Sequence, residues 1–275
     1  MSIFNDSAID WLAELLQRAA DAEIMPRFRT LAPTDIRQKT SATDLVTEAD
    51  ERAERLITAE LLQRFPGALV VGEEATEKDG SMLEKLPGAD LAFVIDPVDG
   101  TFNFASGMPL FGVMLSVVEK GETLAGLIYD PVGRDWLVGV SGGGSYIRST
   151  DGSRKVGVAA PAPVSQMTGS ISWSHLKDPL RSRLARNHSK CMSSFGYRCA
   201  AHEYRLLATG SGHFLVYHKL MPWDHLAGSL IHREAGGHSA HFDGSPYKAG
   251  HLEGGLLVAP DRDSWRELRE ALWAE

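Results

Sequence analysis

The sequence predicts an α+β protein, and three patterns support this prediction. Residues 5–24 place apolar side chains at helical spacing, which indicates an amphipathic helix. Residues 91–97 are apolar apart from Asp96, as in a strand that is buried on both faces. Residues 111–147 indicate a meander of strands with glycine turns, whereas strands and helices alternate from Met167 onward.

The elements of the first half follow in chain order. Asn5, Asp6 or Ser7 can cap the first helix, because a short polar side chain accepts from the free amides there. Pro66 and Gly67 end the second helix. The further segments are a loop, that second helix, a short strand with a polar end, the apolar strand and the meander, at residues 29–44, 47–64, 68–74, 91–97 and 111–147.

The second half alternates between strands and helices. Pro179 suits the first turn of one helix, and Gly210 stops the next. The predicted strands lie at residues 169–175, 213–218 and 254–260, and the predicted helices at residues 178–188, 202–210, 223–237 and 263–275. We therefore expect an α+β half at residues 1–155 and an α/β half at residues 156–275, joined in one compact unit.

The composition is that of an ordinary soluble globular protein, with 275 residues, 43% hydrophobic and 23% charged. The net charge of −8 argues against nucleic acid as the main partner, because a duplex-binding surface needs a basic excess. Two cysteines without a CxxC motif do not make a disulfide scaffold and fit a reducing cytoplasm. We expect neither a membrane span nor a signal peptide, because no apolar run reaches ~18 residues and the N-terminus lacks a basic region.

The stretch "VIDPVDGT", residues 94–101, brings two carboxylates to the end of an apolar strand. No basic residue lies within residues 91–116 to neutralise Asp96 and Asp99, and two unpaired buried carboxylates repel each other. The proline between them turns the chain, so that both carboxylates and the Val98 carbonyl can face one cleft. Either the pair lies at a solvated β-turn, or it binds a cation that the sequence does not supply.

The residues that follow favour a phosphate site. Gly100 allows a close backbone approach, and the amides of Gly100 and Thr101 are expected at a helix N-terminus. Such amides attract phosphate without a lysine. An acidic chain can therefore bind a phosphorylated ligand, provided that a metal ion reverses the local charge.

Further carboxylates stand near the ends of other predicted elements: Asp44, Asp50, Glu73, Glu74 and Asp224. Hard oxygen ligands with few neighbouring histidines or cysteines indicate Mg²⁺, with Mn²⁺ as the alternative. Each motif alone has a simpler explanation. GEE often forms a solvated loop, and an aspartate at a helix start is often an N-cap. The combination, with each motif after or beside an apolar element, is harder to explain in this way.

The combination resembles the inositol monophosphatase family of lithium-sensitive, metal-dependent phosphatases. The matching stretches are "DLVTEAD", "GEE", "DPVDGT", "WDHLAG" and "EAGG". The resemblance spans residues 39–237 and implies a five-layered αβαβα sandwich, a homodimer and sensitivity to lithium. It also implies hydrolysis of a small phosphate monoester, such as inositol monophosphate, by in-line attack of a metal-activated water.

The resemblance assigns the metal ligands by motif. Glu73, Asp96 and the Val98 carbonyl would hold a first Mg²⁺, and Asp96, Asp99 and Asp224 a second. Glu73 would also contact a weaker third ion.

The remaining catalytic roles follow from the same motifs. Thr101, oriented by Asp50, would help to deprotonate the attacking water, and the amides of Gly100 and Thr101 would bind the phosphate. Lys39 and Asp44 match supporting positions. Asp99 and Asp224 would also lie beside the substrate.

The substrate end departs from the family pattern. Where many members carry a glutamate that binds sugar hydroxyls, seven residues before Asp224, this sequence has Tyr217. Arg198 occupies a position where a small glycine is common, and Cys199 and Ala200 would line the pocket beside it. Arg198 is expected to bind a second anionic group of the substrate. The alternative is that Arg198 pairs with Glu203 or another surface acid.

Two classes of function stay open. One is an active phosphatase, with fructose-1,6-bisphosphatase, nucleoside 3′,5′-bisphosphate phosphatase and histidinol-phosphate phosphatase as alternative activities. The other is a regulatory scaffold that keeps the phosphatase fold without catalysis. The complete set of expected metal ligands favours the first class.

Overall fold

The computed structural model describes residues 6–42, 44–173 and 176–275. Within these ranges the chain forms an α+β sandwich built on a seven-stranded and a five-stranded sheet, as the sequence predicts. No helix in these ranges is both long and apolar enough to cross a membrane.

The α-helices of the described residues are α1 (Asp6–Ala19), α2 (Glu48–Arg64), α3 (Glu73–Lys78), α4 (Ser81–Lys85), α5 (Thr101–Ala105), α6 (Leu180–Asn187), α7 (Ala200–Ala208), α8 (Pro222–Glu234) and α9 (Arg262–Trp273). The strands are β1 (Ile36–Gln38), β2 (Leu45–Thr47), β3 (Leu69–Gly72), β4 (Ala92–Asp99), β5 (Gly112–Glu119), β6 (Glu122–Asp130), β7 (Asp135–Val140), β8 (Gly144–Ser149), β9 (Gly152–Lys155), β10 (Thr168–Ile171), β11 (Ser193–Phe195), β12 (Phe214–Tyr217), β13 (His238–Ala240) and β14 (Leu256–Ala259).

The larger sheet has the order β3-β4-β5-β6-β7-β8-β9, in which only the β3–β4 pair is parallel. Strands β5 to β8 form the meander that the sequence predicts at residues 111–147. The smaller sheet has the order β11-β10-β12-β14-β13, with β10 parallel to both of its neighbours and β14 antiparallel to both of its own.

Three apolar clusters show how the layers stack. The first joins α1 and α2 to one face of the larger sheet, through side chains such as Leu12, Ile57 and Phe93. The second fills the space between the two sheets, where α7 and α8 lie. The third joins the outer face of the smaller sheet to α6 and α9. The order of layers is therefore αβαβα, which places α7 and α8 between the sheets.

The predicted elements differ from the structure in several short strands and in α3 and α4, which were not predicted. The predicted loop at residues 29–44 contributes β1, which pairs with β2 in a separate hairpin. The sequence analysis also misses β9, β11 and β13, which have three or four residues each and are too short to show a period. Of the strand predicted at residues 169–175, β10 ends at Ile171, and residues 174 and 175 lie outside the described ranges, as does the candidate cap Asn5.

Candidate active site

Asp96 and Asp99 lie at the end of β4, where the strand is irregular. All eight residues of β4 are buried. Asp96 pairs with Met114 of β5 and Asp99 pairs with Gly112, so two residues of β4 stand opposite a single residue of β5. This is a β-bulge, and Pro97 within it has no amide hydrogen to give to the sheet. The bulge lets two carboxylates three positions apart point to the same region.

Asp224 joins this pair from the second half of the chain. It lies in the first turn of α8, a helix that packs against β4, β5, β6 and β7 between the sheets. One carboxylate oxygen each from Asp96, Asp99 and Asp224 lie within 4.8 Å of one another. The N-cap residue of α8 is Met221, so the N-cap explanation of Asp224 is wrong.

Burial raises the pKa of all three carboxylates. Burial is the largest cause, and it raises the pKa of Asp99 to about 6 and the pKa values of Asp96 and Asp224 well above the usual range. Repulsion from neighbouring carboxylates raises the pKa of Asp96 and Asp224 further. A bound divalent cation would offset this repulsion, and hard cations prefer oxygen ligands such as these carboxylates. The cluster therefore fits Mg²⁺ or Mn²⁺.

Glu73 stands beside this cluster but is not part of it. It opens α3 directly after β3, and its charge contributes to the raised pKa of Asp96. Its Oε1 accepts a hydrogen bond of 3.0 Å from Lys39 Nζ, which also donates to Glu74 Oε1 at 2.8 Å. Glu74 is buried within the helix, so the solvated-loop explanation of GEE is wrong. Asp44 lies apart from these contacts and accepts a hydrogen bond from Thr40.

Asp50 and Thr101 meet across two elements. Thr47 is the N-cap of α2, and its amide donates to Asp50 Oδ2 at 2.8 Å in a capping box. The other oxygen, Asp50 Oδ1, lies 3.0 Å from Thr101 Oγ1, which is also 3.0 Å from the Val98 carbonyl oxygen. The single hydroxyl proton can serve one of these acceptors at a time. Burial raises the pKa of Asp50 to about 7.

Gly100 permits the turn from β4 into α5. Its φ of +87° lies in the left-handed region, and a Cβ there would stand 2.8 Å from the Leu110 carbonyl oxygen and 3.1 Å from Cys199 Cβ. Glycine is therefore required both for the backbone conformation and for space. The turn places Thr101 as the first residue of α5, as the sequence predicts for the motif.

The N-terminus of α7 docks on Asp99. The carboxylate Oδ2 accepts from the Ala201 amide and from Cys199 Sγ, the latter at 3.1 Å, and the Ala200 amide also contributes. Asp99 thus connects the bulge of β4 to the segment that carries Arg198, Cys199 and Ala200.

The backbone at Arg198 has a φ of +53°, which lies in the left-handed region that favours glycine. Its guanidinium carbon lies 3.8 Å from the centroid of the Phe102 ring, and the side chain is otherwise exposed. The alternative of an Arg198–Glu203 ion pair is wrong, because Glu203 accepts from the backbone amides of Tyr197 and Arg198 instead.

Tyr217 belongs to the second half of the chain, and its hydroxyl is already hydrogen-bonded within the protein. It donates to Glu203 Oε2 at 2.6 Å, and the side chain is 7% exposed. The ring packs against Tyr204 and His225. This geometry favours a supporting role for Tyr217 over direct contact with a substrate hydroxyl.

Two buried polar residues near the site, Glu54 and Asn103, were not singled out from the sequence, and Glu203, expected there as a surface acid, is buried. Glu54 of α2 accepts from the amides of Glu74 and Ala75, both at 2.8 Å, and so fixes the start of α3. Asn103 and Glu203 hold the segment before α7. The available signal was a polar side chain on the apolar face of a predicted helix, as Glu54 is beside Ala53 and Ile57.

Comparison with known proteins gives one consistent result. A sequence model of the inositol monophosphatase family matches residues 6–275. The inositol-1-monophosphatase of Bacillus subtilis (strain 168) is 29% identical over 246 residues, covering 88% of this chain and 89% of that protein. Nus factor SuhB of Pseudomonas aeruginosa is 31% identical over 257 residues, covering 91% of this chain and 90% of that protein.

The solved structures agree with the sequence comparisons. The IMPase of Thermotoga maritima superposes with a TM-score of 0.78 at 25% identity, covering 97% of this chain and 95% of that chain. The inositol monophosphatase II of Staphylococcus aureus MSSA476 gives a TM-score of 0.81 at 23% identity, covering 98% and 94%. At this identity the second likeness concerns the fold alone.

Proposed function

Because the chain belongs to the inositol monophosphatase family, we propose that it is a Mg²⁺-dependent phosphatase that hydrolyses a small phosphate monoester such as inositol monophosphate. The observation that supports this proposal most is the cluster of Asp96, Asp99 and Asp224, in which Asp96 and Asp99 are buried and Asp224 is half-buried. Three acidic side chains that repel each other in a partly buried cleft are costly unless they bind a cation.

In this proposal the metal ligands are Asp96, Asp99 and Asp224, with Glu73 and the Val98 carbonyl completing sites for two or three ions. Glu73 would exchange its contact with Lys39 for a cation, which leaves Lys39 paired with Glu74. When bound, Mg²⁺ supplies Lewis-acid stabilisation of the phosphate charge and lowers the pKa of water.

The protein's own groups then position the reactants. Thr101 Oγ1 would take a proton from the attacking water as its own proton passes to Asp50 Oδ1, 3.0 Å away, so that hydroxide forms and Asp50 ends protonated. The Asp50 carboxyl suits this role because burial raises its pKa to about 7, near the pH at which a general base works best. The amides of Gly100 and Thr101 bind the phosphate oxygens.

The wider setting is part of the same proposal. We infer a small phosphorylated metabolite as the substrate, a homodimer as the assembly and the cytoplasm as the location. The regulatory scaffold stays as a second candidate, since one relative is named a Nus factor. The cluster favours catalysis, because a scaffold does not need two buried and one half-buried carboxylate with oxygens within 4.8 Å of one another.

A substrate panel tests the proposal. Phosphate release with Mg²⁺ would be measured for inositol monophosphate, fructose 1,6-bisphosphate, a nucleoside 3′,5′-bisphosphate and histidinol phosphate. We expect turnover of several of these esters, because Tyr217 stands where many family members have a glutamate that binds substrate hydroxyls. Without that glutamate, the site should select less strongly for inositol monophosphate. Turnover of none of them would favour the scaffold.

Arg198→Ala is expected to change the preference between substrates. If the guanidinium contacts a second anionic group, its loss should weaken selection of a bisphosphate over a monophosphate by ~1.5–3 kcal/mol, the range for hydrogen bonds to charged groups. The measurement is kcat/KM for fructose 1,6-bisphosphate and for inositol monophosphate in both proteins.

Arg29→Ala is the matched control for this measurement. Arg29 also has a positive φ, 63°, and its guanidinium carbon lies 5.0 Å from the centroid of the Phe28 ring. Its replacement should leave the ratio of the two kcat/KM values unchanged. An unchanged ratio in Arg198→Ala would show that Arg198 does not read the substrate.

A further inference from the structure

Glu203 is a buried carboxylate that the catalytic scheme does not use. It lies in the first turn of α7 and is 4% exposed. Three hydrogen-bond donors converge on its two oxygens: the Ser170 hydroxyl and the Tyr197 amide at Oε1, and the Tyr217 hydroxyl at Oε2. The backbone amide of Arg198 also interacts with this carboxylate, so little capacity is left for a substrate hydroxyl.

The two amide bonds fix the chain just before α7. The Tyr197 amide donates to Glu203 Oε1 at 3.0 Å, and from the opposite side the Asn103 side-chain amide donates to the Tyr197 carbonyl at 2.7 Å. Asn103 also donates to the Leu110 carbonyl at 2.9 Å, which ties this segment to the chain that follows α5. The backbone at Tyr197 is therefore held from both sides.

This attachment explains how Arg198 keeps an unfavourable conformation. A φ of +53° is costly for a residue other than glycine, asparagine or aspartate. The hydrogen bonds that Glu203 accepts from the amides of Tyr197 and Arg198 offset that cost. The result places the guanidinium over Phe102, directly after Thr101, while the next residue, Cys199, contacts Asp99. Arg198 consequently lies at the edge of the proposed phosphate site.

We propose that Glu203 is a positioning residue for substrate binding and acts through Arg198. This inference rests on the proposed function, in which Arg198 contacts the second anionic group. A purely structural role would make Glu203 important for folding only, with no selective effect on the substrate that Arg198 binds.

Glu203→Gln is the sharpest variant, because it keeps the shape and changes the pattern of acceptors. A glutamine has one acceptor oxygen and no charge. With its NH₂ group at the Oε1 position, the Tyr197 amide loses its acceptor. With its oxygen at that position, the Tyr197 amide keeps a neutral acceptor, whose hydrogen bond is roughly half as strong as that of a carboxylate. Either orientation therefore weakens the attachment of the segment before α7.

We expect Glu203→Gln to raise KM for fructose 1,6-bisphosphate about 10-fold, the effect of one lost hydrogen bond of ordinary strength, with kcat within ~3-fold. Ser170→Ala is the control. It removes a hydroxyl donor from the same Oε1 that accepts from the Tyr197 amide and leaves the amide bond, so KM should stay within ~2-fold. In an Arg198→Ala background, Glu203→Gln should change KM less than ~2-fold, because residues that act as one unit are not additive.

A KM unchanged in folded Glu203→Gln, or raised equally with and without Arg198, would overturn the inference. So would an unchanged KM in Arg198→Ala, although turnover by the wild type would then still support the phosphatase.

If Glu203→Gln does not fold, Asn103→Ser releases the Tyr197 carbonyl and should give the same KM effect with the same dependence on Arg198. If the wild type shows no turnover, calorimetric binding of fructose 1,6-bisphosphate with Mg²⁺ gives the same comparison without catalysis.

Discussion

Asp96→Asn is expected to reduce kcat at least ~10³-fold, equivalent to about 4 kcal/mol of transition-state stabilisation. Asp96 is the carboxylate assigned to both metal sites, and it is 2% exposed at the bulge of β4. An amide at this position still offers one oxygen but no charge, so it cannot balance two divalent cations. The measurement is phosphate release at saturating substrate and Mg²⁺.

Measurements of thermal unfolding would distinguish a loss of catalysis in Asp96→Asn from a loss of folding. Without metal, the variant should be at least as stable as the wild type, because burial and repulsion both disfavour the Asp96 charge. Mg²⁺ at 100 times its dissociation constant should stabilise the wild type by about 2.7 kcal/mol and the variant much less. Asp90→Asn, an exposed aspartate just before β4, is the control and should behave as the wild type. Near-normal kcat in Asp96→Asn would show that the ligand is misassigned.

Thr101→Val is expected to lower kcat by ~10²–10³-fold, within the range for general acid–base groups, with KM within ~3-fold. Valine keeps the shape of the side chain and removes only the hydroxyl that lies 3.0 Å from both Asp50 Oδ1 and the Val98 carbonyl oxygen. The fold should persist, because Asp50 keeps its bonds from the amide and hydroxyl of Thr47.

Thr101→Ser is the matched control, since it restores the hydroxyl and should recover most of kcat. Asp50→Asn tests the pair. If the two residues move one proton together, the double variant should be little worse than the worse single variant. A kcat for Thr101→Val that stays within threefold of the wild type would remove Thr101 from the catalytic scheme.

The sequence predicted the parts of this site that depend on local pattern. An apolar strand ending in Asp96, a proline and a glycine was enough to predict a turn that gathers carboxylates. The left-handed conformation of Gly100 agrees with this prediction. The layered fold was accessible through the family resemblance, because the motifs stand at fixed places in the chain.

The parts that the sequence did not predict depend on contacts between distant residues. Tyr217 could be placed at the substrate end by counting from Asp224, but its hydroxyl donates to Glu203, fourteen positions earlier on another element. The β1–β2 hairpin was missed because strands of three residues are too short to show alternation. Lys39 was assigned a supporting role, but its contacts with both Glu73 and Glu74 emerge only from the tertiary fold.

Removal and return of the metal test the central proposal most directly. The purified protein would be dialysed exhaustively against EDTA, and phosphate release from the best ester of the panel would be measured before and after Mg²⁺ is added. We predict that activity disappears on chelation and returns with Mg²⁺ or Mn²⁺, but not with Na⁺ at the same ionic strength. Activity that survives complete chelation would contradict a site in which Asp96, Asp99 and Asp224 work by holding metal ions.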